Sequence, residues 1–415
     1  MKFKNFIFTG EKKTCTGCGA CVQACQYSAL TMKPDQEGFL YPQIDKKKCV
    51  RCGICEITCP TAGNDRSNTN HQQHCYVATT KNKRFYEKSA SIGICTMLSE
   101  IIIKKGGIVY GSYLDESDWS AYHIAVENYE CIDKIRNSKY LQSNTRTTFT
   151  DVKFQLKNGR YVLFIGTPCQ IAGLKAYLKK DYPNLITIDL VCHGVFSPIL
   201  MPLEVAYWEK LYGGKLSNFK FRSKKQYKYI NGGMVNFNIL KKNGKIKHYE
   251  CYATSSPSYR AYAYSGDGKN YNLRLSCYFC PFRSENRYAD ITVGDPWFVP
   301  NDAIKSDYLK SINAVRSLYF TNSIKGSHLT NEINSLIIKE EISHDEAFKQ
   351  PALKKQQREV PSQRAKLYSL LNKQEYGKII ESLFECDLRK AQKKFMWCYS
   401  KLIIKRKIKE LLHII

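Results

Sequence analysis

The stretch CTGCGACVQAC, residues 15–25, places four cysteines in the spacing C-x2-C-x2-C-x3-C, and CVRCGICEITCP, residues 49–60, repeats that spacing 34 positions later. In bacterial two-cluster ferredoxins, cysteines in this register bind two [4Fe-4S] clusters, and the fourth cysteine of each run binds the other cluster. The segment between the runs, residues 29–45, alternates around a turn as two short strands would. Two zinc knuckles are the alternative for such cysteine pairs. The repeat therefore predicts a two-cluster ferredoxin module over residues 1–64.

The crossed pattern assigns four cysteines to each cluster. The ligands of the first cluster are predicted to be Cys15, Cys18, Cys21 and Cys59. The ligands of the second cluster are predicted to be Cys25, Cys49, Cys52 and Cys55. Gln26 stands where the pattern usually has proline, which lowers the rigidity of the turn but removes no ligand.

Length and composition indicate a folded chain. It has 415 residues, of which 43% are hydrophobic and 29 are tyrosine, and this is enough for two or three domains with buried cores. No segment has the roughly 18 apolar residues of a membrane span, and residues 1–15 lack the apolar stretch of a signal peptide. We therefore expect a cytoplasmic protein.

Charge and cysteine content narrow the class of partner. The formal net charge of +27 would suit nucleic acid, but no groove-reading helix or base-stacking motif accompanies it. We therefore expect no nucleic-acid partner. Eighteen cysteines in a chain of this length fit metal clusters better than a disulfide scaffold. A [4Fe-4S] core with four thiolates carries a charge of about −2, so bound clusters would offset part of the positive charge.

Beyond the module, helical and strand patterns alternate. Residues 65–84 are polar without sustained periodicity, which predicts a linker. ICTMLSEIIIKKGG predicts a helix ended by glycine, YVLFIGTPCQIAGLKAYLKK a strand, loop and helix, and GGMVNFNILKKNGKIKHYECY a β-hairpin around Asn-Gly. We predict an α+β or α/β fold, with a mixed core in two parts (85–165 and 166–330) and a basic helical extension over 331–415.

Four cysteines of the core are candidates for one further metal site. Cys277 and Cys280 form a Cys-x-x-Cys pair that supplies only two ligands. Cys169 in GTPCQ and Cys192 in VCHG each follow a predicted strand, and loops at strand ends converge in α/β folds. Cys169 also precedes a helix, whose N-terminus favours a thiolate or a net-negative cluster. A third [4Fe-4S] cluster, a zinc site with the same thiolates and ordinary buried cysteines are the alternatives.

Five segments carry a family resemblance: GGIVYGSYLDES, SKYLQS, VLFIGTPCQIAGLKAYL, IDLVCHGVFSP and CYFCPFR…ADITVGDPW. Their order resembles that of the coenzyme F420 hydrogenase/dehydrogenase beta-subunit family, which also includes 7-hydroxymethyl chlorophyll a reductase. The likeness covers about residues 85–300, and an N-terminal ferredoxin extension is familiar in the family. Members are iron–sulfur flavoproteins that carry FAD beside a [4Fe-4S] cluster. The resemblance therefore implies a flavin-binding core with FAD and a third cluster at the four core cysteines.

The resemblance also implies a flavin site assembled from short segments. EKSASIGICTML, residues 87–98, stands where family members have a Ser/Gly-rich run, although it retains only one glycine. SKYLQS, GTPCQ and the strand ADITVGD would supply the other contacts, and the aspartates beside that strand would bind a ribityl hydroxyl or cap a turn. The candidate flavin contacts are Ser89, Ser91, Gly93, Lys139, Tyr140, Gln142, Ser143, Gly166, Thr167 and Asp295.

Two residues are candidates for catalysis. Lys139 would stabilise the negative charge of a reduced flavin, and a solvated surface lysine is the alternative. His193 would relay a proton during hydride transfer, and a structural histidine bonded to its own loop is the alternative.

Together these expectations describe an iron–sulfur flavoprotein oxidoreductase. It would pass single electrons between its clusters and a flavin, which exchanges hydride with an organic substrate or a deazaflavin-type coenzyme. Its partners would be an electron donor or acceptor protein, or a reduced coenzyme. The alternative is a non-catalytic electron-transfer subunit that serves a partner enzyme.

The basic tail, residues 389–415, has apolar residues at helical spacing among lysines and arginines. This pattern predicts peripheral contact with an anionic membrane or docking onto the protein's own core. The apolar positions are Trp397, Ile404, Ile408, Leu411 and Ile415.

Overall fold

The computed structural model describes residues 5–62, 72–223, 234–263, 269–311, 315–355 and 357–411. The chain forms two compact units. The first comprises Met1–Asp115, Ser120–Val195 and Arg274–Glu359, and the second comprises Glu116–Trp119, Phe196–Leu273 and Val360–Ile415. The two predicted parts of the core, residues 85–165 and 166–330, both contribute strands to one sheet.

The strands and helices are numbered in chain order. The strands are β1 (Leu30–Pro34), β2 (Leu40–Ile44), β3 (His74–Thr79), β4 (Ile108–Asp115), β5 (Ser120–Val126), β6 (Ser143–Asn144), β7 (Val162–Gly166), β8 (Leu185–Leu190), β9 (Gly214–Lys220), β10 (Met234–Lys241), β11 (Ile246–Tyr252), β12 (Ile291–Gly294), β13 (Ser317–Thr321) and β14 (Ile338–Ile342). The helices are α1 (Phe6–Thr9), α2 (Ala20–Ala24), α3 (Ile54–Ile57), α4 (Lys83–Tyr86), α5 (Ile94–Lys104), α6 (Ile132–Ile135), α7 (Thr148–Lys157), α8 (Pro168–Leu178), α9 (Leu200–Tyr212), α10 (Pro257–Ala263), α11 (Leu275–Tyr278), α12 (Asp307–Lys310), α13 (Ile324–Asn331), α14 (His344–Ala347), α15 (Ser362–Leu370), α16 (Tyr376–Leu383) and α17 (Leu388–Leu411).

The ferredoxin module repeats its local structure as well as its cysteines. The predicted strands around the turn are β1 and β2, which pair antiparallel with Leu30 opposite Ile44. Each cysteine run then leads into a short helix. Gly19 and Gly53, 34 positions apart, are the N-caps of α2 and α3 with φ of 79° and 75°. That left-handed conformation favours glycine at both equivalent positions.

The first unit is built on a mixed sheet, which confirms the predicted mixed α/β fold. Among the described residues this sheet has nine strands in the order β14-β3-β13-β12-β8-β7-β4-β5-β6. The neighbours β12, β8, β7 and β4 are parallel, and both faces of the sheet are covered, as parallel strands require. In β7, Leu163 belongs to one buried cluster and Val162 and Phe164 to the cluster on the opposite face.

The predicted linker over 65–84 contains a strand. Residues 74–79 form β3, which lies between β13 and β14 in the sheet. Cys75 and Val77 are almost fully buried there. The segment HCYVAT is too short and too weakly apolar to predict a strand by itself, and its burial depends on partners more than 230 positions away in sequence. Residues 63–71 lie outside the described part of the chain.

Two adjacent parallel strands, β7 and β8, bring their carboxyl ends to the same edge of the sheet. The loop after β7 turns at once into α8, which begins with a capping box between Thr167 and Gln170 and has Pro168 at its first turn. Those features fix the start of the helix and hence the position of Cys169. The loop after β8 carries Cys192.

The second unit contains a small antiparallel sheet with the order β11-β10-β9. The hairpin predicted around Asn243-Gly244 is present, with Leu240 opposite Ile246. The first half of the basic tail packs onto this unit, where the rings of Phe395 and Tyr252 stack with centroids 4.8 Å apart. Trp397 and Ile404 are exposed, whereas the side chains at 405–411 and residues 412–415 are outside the described set. Membrane contact through this tail stays a prediction.

Among the helices that the structure describes, none combines the length and apolar character needed to cross a membrane.

Candidate iron–sulfur and electron-transfer site

The ferredoxin module contains two cavities, and each is lined by one predicted ligand set. Cys15, Cys18, Cys21 and Cys59 line the first cavity. Cys25, Cys49, Cys52 and Cys55 line the second. Each cavity thus takes three cysteines from one run and the fourth from the other, which is the crossed arrangement that the spacing predicts.

The cysteines of the first cavity are set up for a bound cationic core. Burial raises the pKa of the Cys18 and Cys59 thiols above the usual value. Neighbouring thiols raise the pKa of Cys18 further, because four negative charges in one small space repel one another. A positively charged metal core reverses this by favouring the thiolates.

The structure also brings the four core cysteines together. Burial raises the pKa of Cys192, Cys277 and Cys280 to about 12, and each of these thiols is also affected by the charge of Cys169. Within the described residues, no three His, Cys, Asp or Glu side chains form a group that could hold a metal ion. That holds for the ferredoxin cysteines as well as for these four. The four thiols are electrostatic neighbours of one another.

Three arginines surround the four core cysteines. The charge of Arg274 lowers the pKa of Cys169 and Cys277, although burial raises both overall. Arg358 acts in the same way on Cys192. Arg283 is affected in turn by the charges of Cys280, Cys192 and Cys277. This much positive charge around four thiols suits an occupant that is negative overall, because an unpaired buried charge is costly.

The first cavity and the core cysteines are joined through α8. Thr16, in the first cysteine run, lies close enough to Cys169 for its side chain to lower the pKa of that thiol. Gly173 of α8 lies so close to the module that an added Cβ would be 2.9 Å from Cys18 Sγ and 3.5 Å from Ala20 Cβ. A glycine at this position allows α8 to approach α2 closely, which places the two sets of cysteines side by side.

Arg274 is the residue that contacts both sets of cysteines. Its side chain is fully buried. Nε donates to the Cys15 carbonyl oxygen at 2.9 Å, and Nη2 donates to Cys15 Sγ at 3.6 Å. Nη1 donates to Gln142 Oε1 at 3.1 Å, and the guanidinium lies 4.0 Å from the centroid of the Tyr41 ring. Its role was not predicted, although its place three residues before Cys277 is a signal in the sequence.

The segment SKYLQS divides between two environments. Gln142 is directed to the ferredoxin module, where its Oε1 also accepts from Leu40 N at 3.3 Å. Ser143 Oγ is instead 2.9 Å from His123 Nδ1, and the Ser143 carbonyl accepts from Gln170 Nε2 at 3.0 Å. Tyr140, two positions before Gln142, is partly buried. The segment therefore connects the module to the loop that carries Cys169.

Lys139 and His123 are neighbouring basic residues, and only Lys139 was predicted as a site residue. Desolvation lowers the pKa of Lys139 to about 7, and its Nζ donates to the Arg136 carbonyl at 2.7 Å. Burial lowers the pKa of His123 to about 4, the charge of Lys139 lowers it further, and His123 Nε2 is 3.1 Å from the Ile165 carbonyl. Lys139 is partly buried. His123, a lone polar residue in SAYHIAV, gave no signal beyond its place in a strand.

The Ser/Gly segment before α5 makes internal contacts. Ser89 Oγ donates to the Phe85 carbonyl at 2.6 Å, and Ser91 Oγ donates to the Arg316 carbonyl at 2.7 Å. Gly93 is the N-cap of α5 with φ of 89°, and an added Cβ would be 2.8 Å from the Phe85 carbonyl. The two hydroxyl protons are therefore committed to the protein's own backbone.

The remaining predicted residues lie at the strand ends. At the end of β7, an added Cβ on Gly166 would be 3.2 Å from Gln170 Oε1, and Thr167 Oγ1 is 3.2 Å from Cys169 Sγ. Burial lowers the pKa of His193 to about 4 with the Arg358 charge acting in the same direction. The His193 carbonyl accepts from Arg358 Nη1 at 2.8 Å. Asp295 Oδ2 accepts from Trp297 Nε1 at 3.1 Å.

Two protein-family models match this chain, one in the N-terminal module and one in the core. Residues 14–62 match the 4Fe-4S dicluster domain, and residues 159–343 match the family described as the C-terminal part of the coenzyme F420 hydrogenase/dehydrogenase beta subunit. These matches confirm the resemblance found in the sequence and the prediction of a two-cluster iron–sulfur module. Over the matched residues the chain is similar to an F420-related oxidoreductase family that contains iron–sulfur proteins.

Individual relatives are distant. A coenzyme F420-dependent sulfite reductase from Methanocaldococcus jannaschii is 25% identical over 198 residues, which are 46% of this chain and 29% of that protein. The matched region thus spans less than a third of that relative. A chain of the F420-reducing [NiFe] hydrogenase complex from Methanosarcina barkeri aligns over 74% of this chain and 90% of its own length, with 16% identity and a TM-score of 0.40.

Proposed function

We propose that this protein is an iron–sulfur flavoprotein oxidoreductase that passes electrons between its ferredoxin module and a flavin in the core. The flavin, when bound, supplies the conversion between single electrons and a hydride exchanged with an organic substrate or a deazaflavin-type coenzyme. The coenzyme F420 named in the matched family and in the sulfite reductase relative supports the deazaflavin coenzyme as a partner. An electron donor or acceptor protein would be the other partner.

One observation carries the proposal: the first cavity of the module lies against the four core cysteines. The side chain of Thr16 acts on the pKa of Cys169, and Arg274 donates to Cys15 while its charge acts on Cys169 and Cys277. The buried cysteine Cys18 of the first cavity faces Gly173 of the core. This proximity supports electron passage from the module into the core.

The four core cysteines fit a third [4Fe-4S] cluster. A cubane with four thiolates is negative overall, and Arg274, Arg283 and Arg358 supply the opposite charge around it. The N-terminus of α8, an eleven-residue helix, presents further N–H groups at Cys169.

The chain supports a flavin beside Cys169 through Lys139, Ser143, Gly166 and Thr167. Lys139, with a pKa of about 7, is half protonated near neutral pH, so a negative charge developing nearby would hold the proton on Nζ. Ser143 and His123 are bonded to each other and to the β7 segment, which fixes their positions. These side chains can bind and orient an anionic ring edge without a metal.

A non-catalytic electron-transfer subunit is the second candidate function. The hydroxyls of Ser89 and Ser91 are already used by backbone carbonyls, and Gln142 is used by the ferredoxin module. Three of the expected flavin contacts therefore have other partners. A chain that had kept the clusters and lost the flavin would show this pattern.

Quantifying iron, sulfide, zinc and flavin per chain after anaerobic purification separates these functions. For the flavoprotein we expect about twelve irons, with as much sulfide, little zinc and one flavin. About eight to twelve irons with no flavin, even after anaerobic reconstitution with FAD, would favour the electron-transfer subunit. Zinc in place of iron would refute both.

Replacing Lys139 with methionine should lower the midpoint potential of the bound flavin and leave the cluster spectra unchanged. A unit charge about 4 Å away at an effective dielectric of about 20 is worth roughly 4 kcal/mol before desolvation, so for two electrons we expect a fall of somewhat under about 100 mV. Spectroelectrochemical titration measures it. Lys134→Met, at an exposed lysine five positions earlier, is the matched control. Equal potentials in wild type and Lys139→Met would remove Lys139 from the flavin site.

A further inference from the structure

The two cysteine runs are equivalent in spacing but differ in what surrounds them. Gly17 and Arg51 occupy the same position of the repeat, 34 residues apart, and both have the left-handed backbone, with φ of 69° and 54°. At Gly17 an added Cβ would be 2.2 Å from Gln142 Nε2 and 3.0 Å from the Arg274 guanidinium carbon. The first run is therefore packed against the core and has no room for a side chain.

At the second run the same position carries an exposed arginine. A left-handed backbone is unfavourable for a residue with a Cβ and favourable for glycine. Local conformation would thus select glycine at position 51 as it does at position 17. Arginine at position 51 is therefore locally unfavourable. We attribute its presence to the positive charge that it places at the surface.

The exposure of the cysteines follows the same asymmetry. Cys18 is 8% exposed, whereas Cys52, at the equivalent position, is classed as exposed. The second cavity is lined by Tyr27 and Val50 as well as Arg51, and the side chains of Tyr27 and Val50 are 51% and 55% exposed. The second cavity thus opens at the surface between apolar side chains.

Basic residues adjoin the second cysteine run in the sequence. Lys46, Lys47 and Lys48 are exposed and directly precede Cys49. Among the described residues, only Lys48 of the three makes an ion pair, with Asp45 at 3.9 Å. In the first run the equivalent lysines, Lys12 and Lys13, pair with Asp35 and Glu11. The charges beside the second cavity are therefore the less neutralised ones.

We propose that the surface formed by Tyr27, Lys46, Lys47, Val50 and Arg51, the second-cavity surface, docks a small acidic electron-carrier protein. An apolar centre with a basic rim suits a transient redox interface, in which charge sets the orientation and the rate of encounter more than the strength of binding. The reduced carrier would give one electron to the cluster that Cys25, Cys49, Cys52 and Cys55 would hold, and no bond or proton would change place. This inference rests on the proposed function only for the ferredoxin clusters.

The test is stopped-flow bleaching of the ferredoxin clusters in the full-length reconstituted protein, with a reduced acidic ferredoxin as the probe. The variant Lys46→Gln/Lys47→Gln/Arg51→Gly should slow the second-order rate at low salt at least about tenfold and flatten its dependence on ionic strength. Arg51→Gly alone should leave thermal stability equal or higher, because it places the residue of the first run in the same conformation. Bleaching needs neither the flavin nor the third cluster, so failure here is distinct from failure of the flavoprotein proposal.

Two controls isolate the surface. Lys242→Gln/Lys245→Gln/Lys247→Gln removes the same charge from exposed lysines of the β10–β11 hairpin and should keep the wild-type rate. The methyl viologen radical cation should reduce the triple variant at least as fast as it reduces wild type. An unchanged carrier rate in the variant, an equal loss in the hairpin control or an equal loss with the viologen would overturn the proposal. So would nucleic-acid binding that the variant abolishes while the carrier rate stays unchanged.

Discussion

Cys277→Ser should lose about four irons per chain while the ferredoxin module keeps its own. The expected loss is one cubane cluster, because the four core cysteines form a single group of neighbouring thiols and the eight module cysteines line other cavities. Iron and sulfide analysis of anaerobically purified protein measures the loss. Electron paramagnetic resonance of the reduced protein should retain the signals of the two ferredoxin clusters.

The control for this change is Cys131→Ser, at a partly buried cysteine outside all three groups. It should keep the full iron content. Loss of zinc in place of iron from Cys277→Ser would identify a zinc site. Unchanged iron in folded Cys277→Ser protein would show that the core cysteines bind no cluster, and the electron path in the proposed function would then end at the first cavity.

The sequence predicted the ferredoxin module well because its ligand pattern is local. Two runs with one spacing specify the cysteines, the short helices within the runs and the crossed cavities. None of these features depends on a residue that is distant in sequence. The strand–loop–helix around Cys169 was predictable for the same reason, since β7, the capping box and α8 are consecutive.

Arg274, His123 and β3 could not be found in this way, because their roles arise from distant parts of the chain. Arg274 bonds Cys15, 259 positions away, and β3 is buried by strands that follow it by more than 230 positions. His123 is a single polar residue whose burial depends on β7 and SKYLQS. The flavin contacts that the resemblance implies at Ser89 and Ser91 stay a prediction, and the hydroxyls of both residues donate to backbone carbonyls in the structure.

Arg274→Met should lower the midpoint potential of the first ferredoxin cluster. Reduction adds negative charge beside a guanidinium whose Nη2 is 3.6 Å from Cys15 Sγ, so losing that cation makes reduction harder. A unit charge about 4 Å away is worth roughly 4 kcal/mol at an effective dielectric of about 20. Because the added electron is spread over the whole cluster, we expect about half of this, a fall of roughly 90 mV for one electron. Potentiometric titration followed by electron paramagnetic resonance measures it.

Arg364→Met is the matched control for the loss of a buried arginine. Arg364 is 5% exposed and its Nε donates to the Leu273 carbonyl at 2.9 Å, so this variant should lose comparable stability with no change in cluster potential. Arg274→Lys keeps the charge and loses the forked hydrogen bonds, so it should shift the potential less than methionine does. Equal shifts in Arg274→Met and Arg364→Met would mean that the effect is general loosening of the fold.

The Arg274→Met variant and the second-cavity variant change opposite ends of the module. Their effects on the kinetics of electron transfer should therefore differ. Arg274→Met lowers the potential of the first cluster, so electrons should still enter from a reduced carrier at the wild-type second-order rate but remain on the second cluster. The second-cavity variant should slow entry and leave both potentials within a few tens of millivolts of wild type, because its charges are exposed and screened by salt. If both variants changed the entry rate alike, Arg274 would act on the surface of the module, and its assignment between the first cavity and the core cysteines would be wrong.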